Sequence, residues 1–162
     1  MFQDEARFGT MTSFARAWAE KGKSFIVKSK HGRENFYAYA AVAPASGEAI
    51  LSKKPDACTE SMSAFLGEIA DSSPKRPALI FLDRASWHKS KALSVPEQLK
   101  LSLPPPYSPE LNPAERLWRH IRKEGLHNKV FDTVLDVSEA IDIPLRNLGA
   151  KDLMRLCACG YL

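Results

Sequence analysis

Apolar positions along this chain follow two periods, and the change from one to the other divides it. Phe2 to Phe8 reads as a short strand, and Asn35 to Ala43 alternates around aromatic residues. Ser24 to Ser29, with Phe25, Ile26 and Val27, is expected to pair with Asn35 to Ala43 as an antiparallel hairpin turning at His31-Gly32-Arg33. Ala49 to Ser52 follows the turn signal Pro44-Ala45-Ser46-Gly47 and extends the meander. Phe14, Ala17 and Trp18 recur at helical spacing, so Ser13 to Lys21 is expected to hold a turn of helix or a structured loop.

From Thr59 the period becomes helical. Met62, Phe65, Leu66 and Ile69 predict a crossover helix capped by Thr59 or Ser61 and ended by Ser72-Ser73-Pro74. Ala78 to Leu82 is continuously apolar, the pattern of a strand buried on both faces, and Leu99 to Leu103 is its candidate parallel neighbour. Further helices are expected over Pro113 to Glu124, Thr133 to Ile141 and Ala150 to Cys157. An antiparallel meander beside parallel strands, with helices around them, is a mixed α/β layout. Ligands of such sheets collect at the carboxyl ends of central strands.

Composition narrows the class without naming the chemistry. The chain has 162 residues, 44% hydrophobic and 26% charged, as expected of one globular domain with a full core. No run is long and apolar enough for a membrane span, and a charged segment follows Met1 where a secretory signal would need apolar residues, so a cytoplasmic protein is expected. Cys58, Cys157 and Cys159 are too few and too sparse for a four-ligand zinc site, and reduced thiols are expected. The net charge of +4 permits nucleic acid as a partner. Arg16, Lys21, Lys23, Lys28, Lys30 and Arg33 crowd one segment, and Arg116, Arg119, Arg122, Lys123 and Lys129 another. Each cluster is either a nucleic-acid surface or a solvated face.

Three acids stand where a strand-end site would need them. Asp4 lies on the first strand, Asp83 closes Ala78 to Leu82, and Glu115 opens the helix after Leu103-Pro104-Pro105-Pro106-Tyr107-Ser108-Pro109. Carboxylates from separate elements suit Mg²⁺, a hard ion that prefers oxygen ligands, and two such ions can activate an attacking oxygen and stabilise a leaving one at phosphorus. Each acid also has a local reading: Asp4 as a surface residue, Asp83 as a turn cap, and Glu115 as the N3 partner of an Asn112 capping box with Pro113 at N1. His88 is a candidate phosphate contact or a hydrogen-bonded structural residue. Trp87 and Trp118 are candidates for base stacking or for the core.

Taken in order, Asp4-Glu5-Ala6-Arg7-Phe8-Gly9, Ile80-Phe81-Leu82-Asp83-Arg84-Ala85-Ser86-Trp87-His88-Lys89-Ser90 and the block from Leu103 to Trp118 resemble the catalytic domain of a mariner-like DDE transposase of the bacterial insertion-sequence branch. That resemblance implies a ribonuclease-H-like fold over residues 1–162, related to retroviral integrases. It implies Asp4, Asp83 and Glu115 as the catalytic and metal-binding triad, and two Mg²⁺ or Mn²⁺ ions. It implies nicking at transposon ends followed by strand transfer from the released 3′-hydroxyl. Arg84, His88, Lys89, Arg116, Arg119, Arg122 and Lys123 are the candidate DNA contacts.

The sequence departs from the family pattern in three places. Arg84 stands where asparagine is usual, and the 32 positions from Asp83 to Glu115 are a short interval. Only Met1, Phe2 and Gln3 precede the first acid, where helix-turn-helix modules are normal. DNA-end recognition is therefore expected from a separate helix-turn-helix chain or domain. A homodimer and a place at the bacterial nucleoid are expected by the same analogy. The competing readings are a catalytically impaired remnant acting as a non-specific DNA-binding or interaction module, and a small-substrate phosphohydrolase, against which the basic clusters and the lack of a glycine-rich phosphate loop count.

Overall fold

The computed structural model describes residues 1–105 and 108–160; Pro106 and Tyr107, within the proline segment, lie outside the described residues. Five strands, β1 (Phe2–Gly9), β2 (Asn35–Ala43), β3 (Glu48–Lys54), β4 (Ala78–Phe81) and β5 (Leu99–Ser102), form one sheet in the order β3-β2-β1-β4-β5. β1 and β2 pair antiparallel, as do β2 and β3, whereas β4 runs parallel to both β1 and β5. The mixed sheet expected from the periodicity is therefore present.

Four helices cover its two faces: α1 (Thr59–Ser72), α2 (Ala114–Ile121), α3 (Val134–Arg146) and α4 (Ala150–Leu156). α1 places Met62, Phe65, Leu66 and Ile69 against Tyr39, Ala41, Ile80 and Leu82. On the other face the α2 stripe of Ala114, Leu117, Trp118 and Ile121 meets Phe2, Ala6, Phe8, Ala38 and Ala40, with Val137 and Ile141 of α3 behind it. No helix of the described residues is long and apolar enough to cross a membrane.

Local chemistry sets the helix ends. Cys58, rather than Thr59 or Ser61, caps α1, its Sγ accepting the Ser61 N–H. Thr133 and Asp136 form a reciprocal capping box at the start of α3. α2 ends in a π turn, Arg122–Leu126, where Gly125 packs so tightly that a Cβ would lie 2.7 Å from the Ala140 carbonyl of α3. Cys157 is buried, and burial pushes its thiol up to about 11, so it is an inert core residue.

Two expectations fail and one is narrowed to one of its alternatives. Ser24 to Ser29 is not a strand: its expected partner, β2, already pairs with β1 on one edge and β3 on the other. Of the two alternatives for Ser13 to Lys21, the loop is found and not the helical turn, and its spaced apolar residues are not buried together, Trp18 being 100% exposed. Residues 10–34 instead form a long excursion between β1 and β2, and His31-Gly32-Arg33 is part of its neck rather than a turn. The neck is held by hydrogen bonds from Thr10 N–H to the Glu34 carbonyl and from Thr12 N–H to the Lys30 carbonyl, both 3.1 Å. Asn128, in left-handed conformation at φ 60, pins its base by accepting from the Ala15 N–H and donating to the Ala15 carbonyl. Third, β4 is not buried on both faces, since Leu79 is exposed while Ile80 is fully buried.

Candidate active site

The parallel register of β1 and β4 brings Asp4 and Asp83 together. Phe2 pairs with Phe81, and their rings stack with centroids 5.0 Å apart. Two residues further along the same parallel direction lie Asp4 and Asp83, on the same face as the two rings because side chains alternate with a period of two.

Glu115 comes from the first turn of α2, and Asn112 aims it. The Asn112 Oδ1 accepts the Ala114 N–H at 3.1 Å, while its Nδ2 donates to the Gln3 carbonyl at 2.9 Å. The side chain that starts the helix thus also ties it to the peptide before Asp4. The expected capping box is not formed among the described residues; the Glu115 carboxylate lines the cleft instead. That cleft, about 500 Å³, is lined by Asp4, Asp83 and Glu115 together with Arg84, Lys89, Asn112, Pro104 and Pro105.

The three acids differ in electrostatic state. Burial, followed by the charges of Glu115 and Glu5, pushes the Asp4 carboxyl up to about 8, against a hydrogen bond from Trp118 Nε1 at 3.0 Å. Asp83 is held below the usual carboxylate range, chiefly by its hydrogen bond to His88. Its Oδ1 takes both the Ala85 N–H at 2.9 Å and His88 Nδ1 at 2.7 Å. Burial opposes the His88 cation, yet hydrogen bonds to Asp83 and Glu5 and their negative charges prevail and raise it to about 9.

Among the described residues no three potential ligands lie close enough to hold one ion. Like charges repel, and Asp83 is drawn towards His88. The donor set nevertheless fits a hard divalent cation. It consists of carboxylate oxygens, and Asp4 is a buried acid whose anion the protein alone does not compensate.

The candidate DNA contacts fall into two groups. Arg84 and Lys89 line the cleft, and Arg84 Nε donates to the Pro104 carbonyl at 3.0 Å, tying the end of β4 to the proline segment. Arg116 and Arg119 are exposed on α2, with Arg116 donating to the Ala158 carbonyl. Arg122 lies over the Phe8 ring at 5.1 Å, and the exposed Lys123 pairs with Glu124. Of its two readings, His88 takes the arrangement of a hydrogen-bonded structural residue and not that of a phosphate contact, being 5% exposed and lying between Glu5 and Asp83.

Glu5 and the polar edge of Trp118 went unassigned at the sequence level. The signal for Glu5 was present: adjacent strand residues point to opposite faces, so placing Asp4 in the cleft sends Glu5 under the sheet, where an acid needs a partner. Trp118 does pack in the core, at 1% exposure, and its indole N–H also supports Asp4.

A family model of DDE superfamily endonucleases matches residues 1–138. An uncharacterised protein of Sinorhizobium fredii, y4pE/y4sA, is 37% identical over 102 residues, covering 62% of this chain and 76% of its own. The crystal structure of the Mos1 strand transfer complex superposes with a TM-score of 0.69 at 15% identity, over 96% of this chain and 49% of that one. The Mos1 mariner paired-end complex with Mn gives 0.68 at 14% identity, over 96% and 50%. The chain therefore spans about half the length of the Mos1 chains it matches. The mixed sheet with its flanking helices is the ribonuclease-H-like fold. Through the match over residues 1–138, the chain belongs to the DDE superfamily endonuclease family.

Proposed function

We propose that residues 1–162 form the catalytic domain of a mariner-like transposase, cutting DNA at transposon ends and joining the released 3′-hydroxyl to a target strand. The observation that carries this reading is the cleft itself. Three acids from three separate elements line it, in a chain of an endonuclease family. Asp4, Asp83 and Glu115 would hold two divalent cations. Mos1 paired-end complexes have been crystallised with Mn and with Mg, and either ion suits these donors. When bound, such ions supply Lewis-acid stabilisation of the attacking and leaving oxygens.

The chain's own residues contribute position and charge. Asn112 fixes the approach of Glu115 to the Asp4 strand, and Trp118 orients one oxygen of Asp4. Arg84 and Lys89 place positive charge on the cleft wall, where a DNA phosphate would lie. Arg116, Arg119, Arg122 and Lys123 extend the same sign along α2 and the turn after it. Recognition of the ends is assigned to a helix-turn-helix module on a separate chain or domain, and two copies would meet at paired ends. A protein acting on chromosomal DNA in this way would work at the cytoplasmic nucleoid.

The second reading, an impaired remnant that binds DNA without cutting it, draws on the orientation of Asp83 towards His88. One experiment separates the two. The purified domain with Mn²⁺ is expected to nick supercoiled plasmid, and Asp83→Asn to reduce nicking about a thousandfold while leaving salt-dependent DNA binding in place. Nicking by Asp83→Asn at the wild-type rate would remove the catalytic reading, and DNA binding without any nicking by the wild type would favour the remnant.

A further inference from the structure

Beneath the cleft, on the α1 face of the sheet, runs a buried polar chain that the reading above does not use. His88 sits in the 3₁₀ turn Trp87–Lys89, which follows β4. Its side chain is 1% exposed and that of Glu5 is 7% exposed. His88 Nε2 lies 2.8 Å from Glu5 Oε1, which also accepts the Trp87 indole N–H at 3.3 Å. The opposite ring nitrogen, Nδ1, lies 2.7 Å from Asp83 Oδ1 and 3.1 Å from the Asp83 carbonyl oxygen. The Ala85 N–H takes the same Oδ1 at 2.9 Å.

Two consequences follow from this arrangement. Burying an acid and an imidazole this completely is costly unless each satisfies the other, so the turn is held to β1 by polar pairing as well as by packing. The Asp83 carboxylate also has its two oxygens in different roles. Oδ1 is taken by two protein donors, while Oδ2 has no protein partner among the described residues on a side chain that is 62% exposed. A carboxylate fixed through one oxygen presents the other in a single direction, as ligand-orienting partners around metal sites do.

We infer that Glu5 and His88 are positioning residues for Asp83: Glu5 orients the imidazole, His88 holds Oδ1, and Oδ2 is left directed into the cleft as the oxygen that meets a divalent cation. This inference rests on the metal-binding reading of Asp83. Both positioning groups reach the site from the α1 face, and β1 carries one of them in the residue directly after Asp4.

The test uses two substitutions that each keep one of the two ring contacts. His88→Asn places an amide nitrogen near the position of Nδ1 and can still donate to Asp83. His88→Gln places one near Nε2 and reaches Glu5 alone. Mn²⁺ itself is the probe, with affinity measured by calorimetry on the intact chain and folding checked by near-ultraviolet circular dichroism. His88→Gln is expected to weaken Mn²⁺ binding about tenfold, within the range for loss of a ligand-orienting partner, and His88→Asn about threefold or less. Glu5→Gln, which keeps an acceptor oxygen, is expected to bind like the wild type, and Glu5→Ala like His88→Gln. A purely structural role would make the two His88 variants equal in Mn²⁺ affinity, and that result, or the reverse order, overturns the inference. Asp83→Asn is the control that separates the two levels. If it binds Mn²⁺ as tightly as the wild type, the metal reading of Asp83 fails and the inference falls with it; if it binds weakly while His88→Gln does not, the inference alone fails.

Discussion

Replacing Asp4 by asparagine is expected to abolish nicking and, at the same time, to make the metal-free protein more stable. The two effects share one cause. The Asp4 carboxyl is pushed up to about 8 by burial and by the neighbouring charges of Glu115 and Glu5, so at neutral pH folding must keep an acid protonated that would be ionised in the unfolded chain. Between an unfolded value of 3.8 and pH 7 that cost is on the order of 4 kcal/mol. Asparagine removes it while keeping an oxygen to accept the Trp118 indole N–H. With about 2–4 °C per kcal/mol for a domain of this size, a melting temperature higher by roughly 10 °C is expected at pH 7 without metal. Loss of an anionic ligand should cost about a thousandfold in nicking with Mn²⁺. Differential scanning calorimetry and a plasmid-nicking assay on the same preparation check both halves. A variant that loses activity but melts below the wild type would contradict the electrostatic account of Asp4.

The second large effect is a fall in metal-free stability from pH 6 to pH 9, with divalent ions restoring more of it as pH rises. Asp4 has a folded value raised to about 8 from 3.8, so its penalty begins as pH passes 3.8 and is complete above 8. His88 has a folded value raised to about 9 from 6.5, so its stabilising contribution is full below 6.5 and lost as pH rises through 9. Both groups therefore act in the same direction between 6.5 and 8. Asp83, with a lowered value, contributes above 3.8 and loses its effect only at acid pH, outside this window. A cation at the cleft favours ionised Asp4, so binding releases a proton below pH 8 and becomes tighter as pH rises. Thermal melts at pH 6, 7.5 and 9, each with and without Mn²⁺, measure this directly. The expected result is a melting temperature that drops with pH in chelator and a Mn²⁺-induced increase that is larger at pH 7.5 than at pH 6. A flat profile in chelator would show that Asp4 and His88 are not coupled to folding as their surroundings require.

Helices and paired strands were legible in the sequence because their apolar spacing matches the faces they bury. Met62, Phe65, Leu66 and Ile69 can satisfy their period only against a sheet, and they do. The strand expected at Ser24 to Ser29 was misread, and Ser13 to Lys21 remained open between helix and loop, because spacing records what a segment would bury if a partner existed. Phe14, Ala17 and Trp18 keep helical spacing and Phe25 to Val27 keep strand composition, yet β2 has both edges occupied and Phe14, Trp18, Phe25 and Ile26 remain exposed. The candidate site shows the same division. Asp4, Asp83 and Glu115 stood out because they sit at element ends next to apolar runs or prolines. Glu5 and the Trp118 indole N–H did not, because their roles depend on which face each strand residue takes and on contacts spanning 83 and 114 positions of chain. Asn112 was read as a helix start, and it is one, but its bond to the Gln3 carbonyl depends on two elements meeting in space.

The sheet is joined across its middle by a single register pair, Phe2 with Phe81. On one side stand the three antiparallel strands, stitched by long ladders, and on the other the short parallel pair β4 and β5. Asp4 belongs to the first set of strands and Asp83 follows the second, so the distance between them is set across that register pair. Asn112, His88 and the Met1 amino group, which donates to the Leu79 carbonyl at 2.6 Å, act as cross-braces over that joint. Truncating the stacked rings of Phe2 and Phe81 is therefore expected to alter the span between two acids that neither ring carries.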